Sequence, residues 1–188
     1  MVHFAGKPTS SEILETSDLD DEKLKKIFDL IHSSFLPPKV KEHAFFQVHK
    51  ILPTEERKHR IDPTKSTGMC GRCGNQIETL EHLILQCTSV KTELEELKQL
   101  LSSEIQENEE LVNAEKIVEL KLCMETNQTK KHEDLTYIFT HFSYYVWKAK
   151  MKDTNPTEVM KNVIVQWDRL VNIRKEKQKG KKRRKGKK

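Results

Sequence analysis

Four residues in the run 69–87, MCGRCGNQIETLEHLILQC, have the types and spacing to hold a metal ion. Cys70, Cys73, His82 and Cys87 make the pattern C-x2-C-x8-H-x4-C. Three thiolates and one imidazole form a closed tetrahedral set for zinc(II), with no position left for a substrate, so the implied chemistry is scaffolding. Two residues between Cys70 and Cys73 let one tight turn bring both sulfurs to one ion, and Gly71 and Gly74 supply the permissive backbone of such a knuckle. The second half, 78–87, reads as a short helix opening near Thr79, with Leu80, Leu83 and Ile84 on an apolar stripe and His82 beside it. At about 100° per residue, His82 and Cys87 stand about 140° apart on a continuous α-helix. Cys87 is therefore expected where that helix unwinds.

Other uses of these cysteines fit less well. A disulfide framework implies secretion, but residues 1–11 lack an apolar signal core and the C-terminus is heavily basic. A redox C-x-x-C belongs in a strand–helix–strand pattern, and haem attachment needs histidine where Gly74 stands. The fourth cysteine, Cys123, reads as a small buried apolar residue.

The elements that must position the quartet are helical. With 188 residues, 35% hydrophobic and 34% charged, the chain suits one lean domain that a metal would help to close. Residues 1–18 are polar and aperiodic and are expected to be disordered. The folded domain is expected over 19–173. Its first helix, 19–34, carries Leu24, Ile27, Phe28 and Ile31 as one stripe, and Pro37 and Pro38 separate it from a second. The second helix presents Val40, Ala44, Phe45, Val48 and Leu52 to the core. A short helix over 54–60 opens with acids and closes with bases, as the helix dipole favours.

After the knuckle, Val90, Leu94, Leu97, Leu101 and Ile105 form a stripe within an acidic stretch that would repel phosphate. A further helix is expected over 113–124, a loop over 126–131, and a long helix over 132–152 whose Leu135, Ile138, Phe139, Phe142, Val146 and Trp147 read as core. Asn155-Pro156-Thr157-Glu158 signposts the last helix, with Met160, Val163, Ile164, Trp167, Leu170 and Val171 on its stripe. From Arg174 the apolar period stops. Residues 174–188 hold eleven Lys or Arg and one Glu, net +10 in a chain of +5, so the rest sums to −5. This tail reads as disordered until bound, with Lys181, Lys182, Arg183, Arg184 and Lys185 as a nuclear address or a grip on nucleic acid. The fold class is thus all-α: a helical domain with a zinc-stabilised CCHC knuckle and a disordered basic tail.

The knuckle resembles the zinc-binding segment that follows the polymerase in reverse transcriptases of LINE-type (non-LTR) retrotransposons. The likeness rests on Ile51-Leu52-Pro53-Thr54-Glu55-Glu56-Arg57, then Cys70, Cys73 and Gly74, then Glu78-Thr79-Leu80-Glu81-His82-Leu83, then Cys87. It is specific across 40–87 and looser over 139–174; residues before Pro37 add little to it. It implies zinc as cofactor and a role in holding template RNA or target DNA, with Arg57, Lys58, Arg60 and Arg72 beside the knuckle as phosphate contacts.

No catalytic set accompanies it. The paired strand aspartates of a polymerase are absent, since Asp20-Asp21 opens a charged helix, and the E-x-K matches at Glu96 and Glu119 sit in amphipathic stretches without the acidic pair a nuclease needs. No apolar run approaches the ~20 residues of a membrane span. The reading is a non-catalytic nucleic-acid-binding module, nuclear or cytoplasmic, with no membrane and no small-molecule substrate. The competing reading is a zinc-stapled protein-interaction module whose tail is only an address.

Overall fold

A computed structural model describes residues 36–105 and 130–185, together with Lys25 and Asp29. The sequence expectations for 1–18, for the helix over 19–34, and for the helix over 113–124 with Cys123 fall essentially outside the described residues. In chain order the described elements are α1 (Pro38–Val48), α2 (Glu55–Ile61), a π-helical turn (His82–Gln86), a 3-10 turn (Thr88–Val90), α3 (Lys91–Ile105), α4 (Lys130–Met151), a second 3-10 turn (Pro156–Glu158) and α5 (Val159–Lys185). Among the described residues there is no strand, only one isolated antiparallel bridge between Met69 and Ile77. The class is all-α, as expected.

α4 is the hub against which α1, α3, the π turn and α5 all pack. Ile138, Phe142 and Val146 recur every four residues and are wholly buried, at roughly 1.5–3 kcal/mol each. Tyr137 and Phe139 are buried with them, so these rings build core and present no stacking platform. α4 begins at Lys130, two residues inside the expected loop, because Lys130 and Lys131 are good helix formers with nothing to break the turn. α3 contributes Leu94, Leu97 and Leu101, as its stripe predicts.

α5 returns antiparallel along α4. Asn155 Oδ1 accepts from Thr157 N at 3.2 Å, Pro156 occupies the first turn, and Met160, Val163, Trp167 and Leu170 face the core. Ile164, expected on that stripe, is 41% exposed, since it sits about 100° round from Val163. Phe45 fails in the same way on α1: its neighbour Ala44 is buried, while the Phe45 ring lies outside against His49 with centroids 4.3 Å apart.

A polar chain ties α1 to α4. The Ser143 hydroxyl donates to Gln47 Oε1 at 2.9 Å, so the His43 Nε2–H must donate to Ser143 Oγ at 3.0 Å. Burial pushes the His43 imidazole down to about 4 and keeps it neutral.

The expected disordered tail is a correction. α5 does not stop where its apolar period stops but runs on to Lys185. Lys, Arg, Glu and Gln all sustain a helix once it is nucleated, so an end to burial is not an end to helix. Arg174, the first residue of the tail, is half-buried and ion-paired to Asp134 of α4.

Candidate metal centre

The local backbone builds the knuckle before any ligand is considered. Gly68 and Gly74 adopt positive φ, +76° and +67°, the left-handed conformation that glycine tolerates best. Between them Cys70 N donates to Gln76 O and Gly74 N to Cys70 O, both at 2.8 Å, which closes the tight turn around Cys70 and Cys73. Glu78 N then donates to Gly68 O at 2.9 Å, fastening the far side of the loop. A side chain at Gly68 would touch His59 of α2, whose Cβ would lie 3.4 Å from the added carbon, so the positive φ and not space is what favours glycine there.

The second half opens at Thr79, whose hydroxyl accepts from His82 N at 2.9 Å, as a helix cap does. The chain then enters a π turn, in which Cys87 N reaches back five residues to His82 O at 2.7 Å. This widening resolves the angular conflict of an α-helix: with five residues closing about one turn, Cys87 returns to the side of His82. Cys87 itself is extended, φ −65° and ψ 128°, so the helix unwinds there as expected. Leu83, Ile84 and Leu85 of the same turn are buried against the core and hold its register.

The four ligand atoms of Cys70, Cys73, His82 and Cys87 all lie within 4.8 Å of one another. Cys70 Sγ and Cys87 Sγ are 3.8 Å apart, and Cys73 Sγ and His82 Nε2 are 3.3 Å apart. A tetrahedron with zinc–sulfur bonds of about 2.3 Å has edges near 3.8 Å, so these separations fit one zinc ion. His82 Nδ1–H donates to Gln76 Oε1 at 2.8 Å, which fixes the tautomer and leaves Nε2 free as the ligand atom. The Ser89 hydroxyl lies 3.1 Å from Cys87 Sγ, placed to donate to its thiolate.

Burial pushes the Cys70 thiol up to about 11, whereas the backbone N–H of Asn75, aided by neighbouring donors, holds the Cys73 thiol below its ordinary range. Burial also lowers the His82 imidazole, keeping it neutral and able to coordinate. Zinc is the metal this set takes, and with four protein ligands it supplies rigidity and no open coordination site.

Glu78 and Lys150 join the centre to the rest of the fold, a role that spacing did not disclose. The Glu78 carboxylate is 1% exposed, pairs with Lys150 of α4, and accepts from Glu55 N at the start of α2 at 2.9 Å. Lys150 Nζ also lies 3.7 Å from Glu55 Oε1. Glu78 stood in the Glu78-Thr79-Leu80-Glu81-His82-Leu83 run, but nothing in the sequence marks Lys150 as its partner. Gln76, likewise, carries no spacing signal.

The structure brings the four metal ligands together, and it places the expected phosphate contacts variously. Arg57 Nη1 donates to Lys50 O at 3.1 Å, and Lys58 pairs with Glu55 at 2.7 Å. Arg72 is half-buried, with Nη2 3.5 Å from Val146 O of α4. Arg60 is exposed. Lys181, Lys182, Arg183, Arg184 and Lys185 lie on the last turns of α5, their side chains outside the described residues.

Residues 10–92 match the family described as zinc-binding in reverse transcriptase. The matched segment contains the ligand quartet, α1, α2 and the π turn, and it ends before α4 and α5. It also begins well before Pro37, so residues ahead of α1 contribute to the likeness more than their sequence suggested. No curated protein and no solved structure matches the chain.

Proposed function

We propose that this chain is a non-catalytic, zinc-pinned module that binds nucleic acid and derives from the zinc-binding segment of a LINE-type reverse transcriptase. The observation that carries the reading is the closed Cys3His cluster inside the segment that matches the family. A closed site leaves zinc no catalytic role, so its work is to hold the surface made by α2, the knuckle and their flanking bases. The strongly basic end of α5 adds a second, sequence-independent grip on phosphate.

The test uses the full chain loaded with zinc. Because α5 passes unbroken through Arg174, Lys181, Lys182, Arg183, Arg184 and Lys185 are replaced together by Gln rather than cut away. Fluorescence anisotropy with single-stranded RNA, single-stranded DNA and duplex DNA is then compared before and after chelation. Binding that survives the Gln substitutions and is lost on chelation supports the reading. Loss of all binding with the five bases would sink it.

A second reading has its own observation. Arg57, Lys58 and Arg72 each serve an internal contact, which favours zinc as a staple for a protein-interaction module with a nuclear-targeting tail. In that case neither the unaltered chain nor the Gln variant binds nucleic acid, and both keep their zinc.

A further inference from the structure

We propose that the last two turns of α5 form a helical arm that enters the major groove of duplex DNA; this deepens the nucleic-acid reading and rests on it. α5 belongs to the body as far as Leu170, which is buried, and Arg174 is still fastened to Asp134. Asp134 lies four residues from Lys130, the first described residue of α4, and the two helices run antiparallel. By that register, α5 beyond about residue 178 has no counterpart on the described part of α4. Lys175, Glu176, Lys177, Lys179 and Gly180 are already exposed.

Residues 179–185 contain six Lys or Arg, no Asp or Glu and no apolar side chain. At about 100° per residue these six positions are spread round the helix, with no empty sector wider than about 100°. That distribution discriminates among partners. A helix lying in a membrane interface needs one apolar face. A helix docking into a protein groove needs apolar anchors at i, i+3 or i+4, and i+7. This arm has neither.

Positive charge on all sides matches a ligand that presents anions on two sides at once, which is what the two phosphate walls of a nucleic-acid groove do. The major groove of B-form DNA, about 12 Å wide, admits an α-helix, whereas the deep and narrow groove of A-form RNA does not. Seven residues rising 1.5 Å each span about 10 Å, roughly a third of a turn of DNA.

Gly180 gives the experiment. A Cβ added there would meet nothing within 4 Å, so the site accepts other residues without a clash. Gly180→Ala and Gly180→Pro leave every charge in place while strengthening and breaking the helix, respectively. Zinc-loaded full-length protein and both variants are titrated against short duplex DNA, single-stranded DNA of the same sequence, and duplex RNA.

For duplex DNA, Gly180→Pro is expected to weaken binding at least about tenfold, and Gly180→Ala to tighten it by up to about fivefold. The other two ligands should shift by less than about twofold, because they read only charge. Equal binding of duplex DNA by all three proteins, or equal shifts on single strands or duplex RNA, overturns the arm and leaves the broader reading standing. Absence of nucleic-acid binding by the unaltered protein overturns both.

Discussion

The knuckle and the α4–α5 pair are held by different physics. In the helical pair, Ile138, Phe142 and Val146 are buried in one apolar cluster with Met160, Val163 and Trp167, so many small burial terms accumulate. In the knuckle, Cys70, Cys73, His82 and Cys87 converge on one point, while the bridged pair Met69 and Ile77 stays exposed at 38% and 56%. One region is redundant and the other is not. Loss of a single contact should be absorbed by the pair and should undo the knuckle.

Metal removal separates the two most sharply. Structural zinc contributes on the order of 10 kcal/mol in small domains, so chelation should unfold the region around residues 54–90 while α4 and α5 retain most of their helix. Amide exchange read by region checks this. Cys73→Ser should reproduce it with zinc content below one ion per chain, and full protection of the knuckle after chelation would show that it folds without metal.

Acid should act on the body through His43. Its folded pKa, about 4, lies below its ordinary 6.5, so the unfolded chain takes up the proton first. Stability from this group is therefore complete above pH 6.5 and drains away as pH falls toward 4, with about 2 kcal/mol gone between pH 7 and 5. Zinc ligands titrate as well, so the measurement is a difference. His43→Gln should unfold in urea with a pH dependence shallower than the native protein by that amount. Parallel profiles would mean that His43 is not held neutral.

The smallest effect sharpens the comparison inside the knuckle. Gln76→Ala removes the acceptor that orients His82 but no ligand, and it should weaken zinc affinity by about tenfold without changing stoichiometry. Competition with a chromogenic chelator measures it. An unchanged affinity would show that the π turn alone sets the imidazole.

Legibility in the sequence divides along the same line. The ligand quartet was readable because zinc constrains residue type and spacing together, and the seam was readable at Phe142 or Leu97 because burial repeats with the helix. The awkward interval from His82 to Cys87 was visible as a conflict, but its resolution by a π turn depends on Leu83, Ile84 and Leu85 packing against distant helices. Glu78 and Lys150 were invisible as partners, since no periodicity links residues 72 positions apart. The exposure of the edge residues Phe45 and Ile164 is not legible in the sequence, because an apolar stripe has no sharp border. The end of α5 is not legible from its apolar stripe, because Lys and Arg extend a helix without burial.

The Glu78–Lys150 pair also sets a timetable. All four zinc ligands fall within 69–87, so a ribosome delivers a complete metal site early. Glu78, however, must wait for a partner 72 residues downstream, which at about 5–20 residues per second is several seconds of translation. During that interval the nascent knuckle can hold metal and α2 can cap onto Glu78, but the carboxylate lacks its cation and α4 is not yet joined to it. Newly made chains therefore reach a stage at which zinc can be captured before the domain around it is closed.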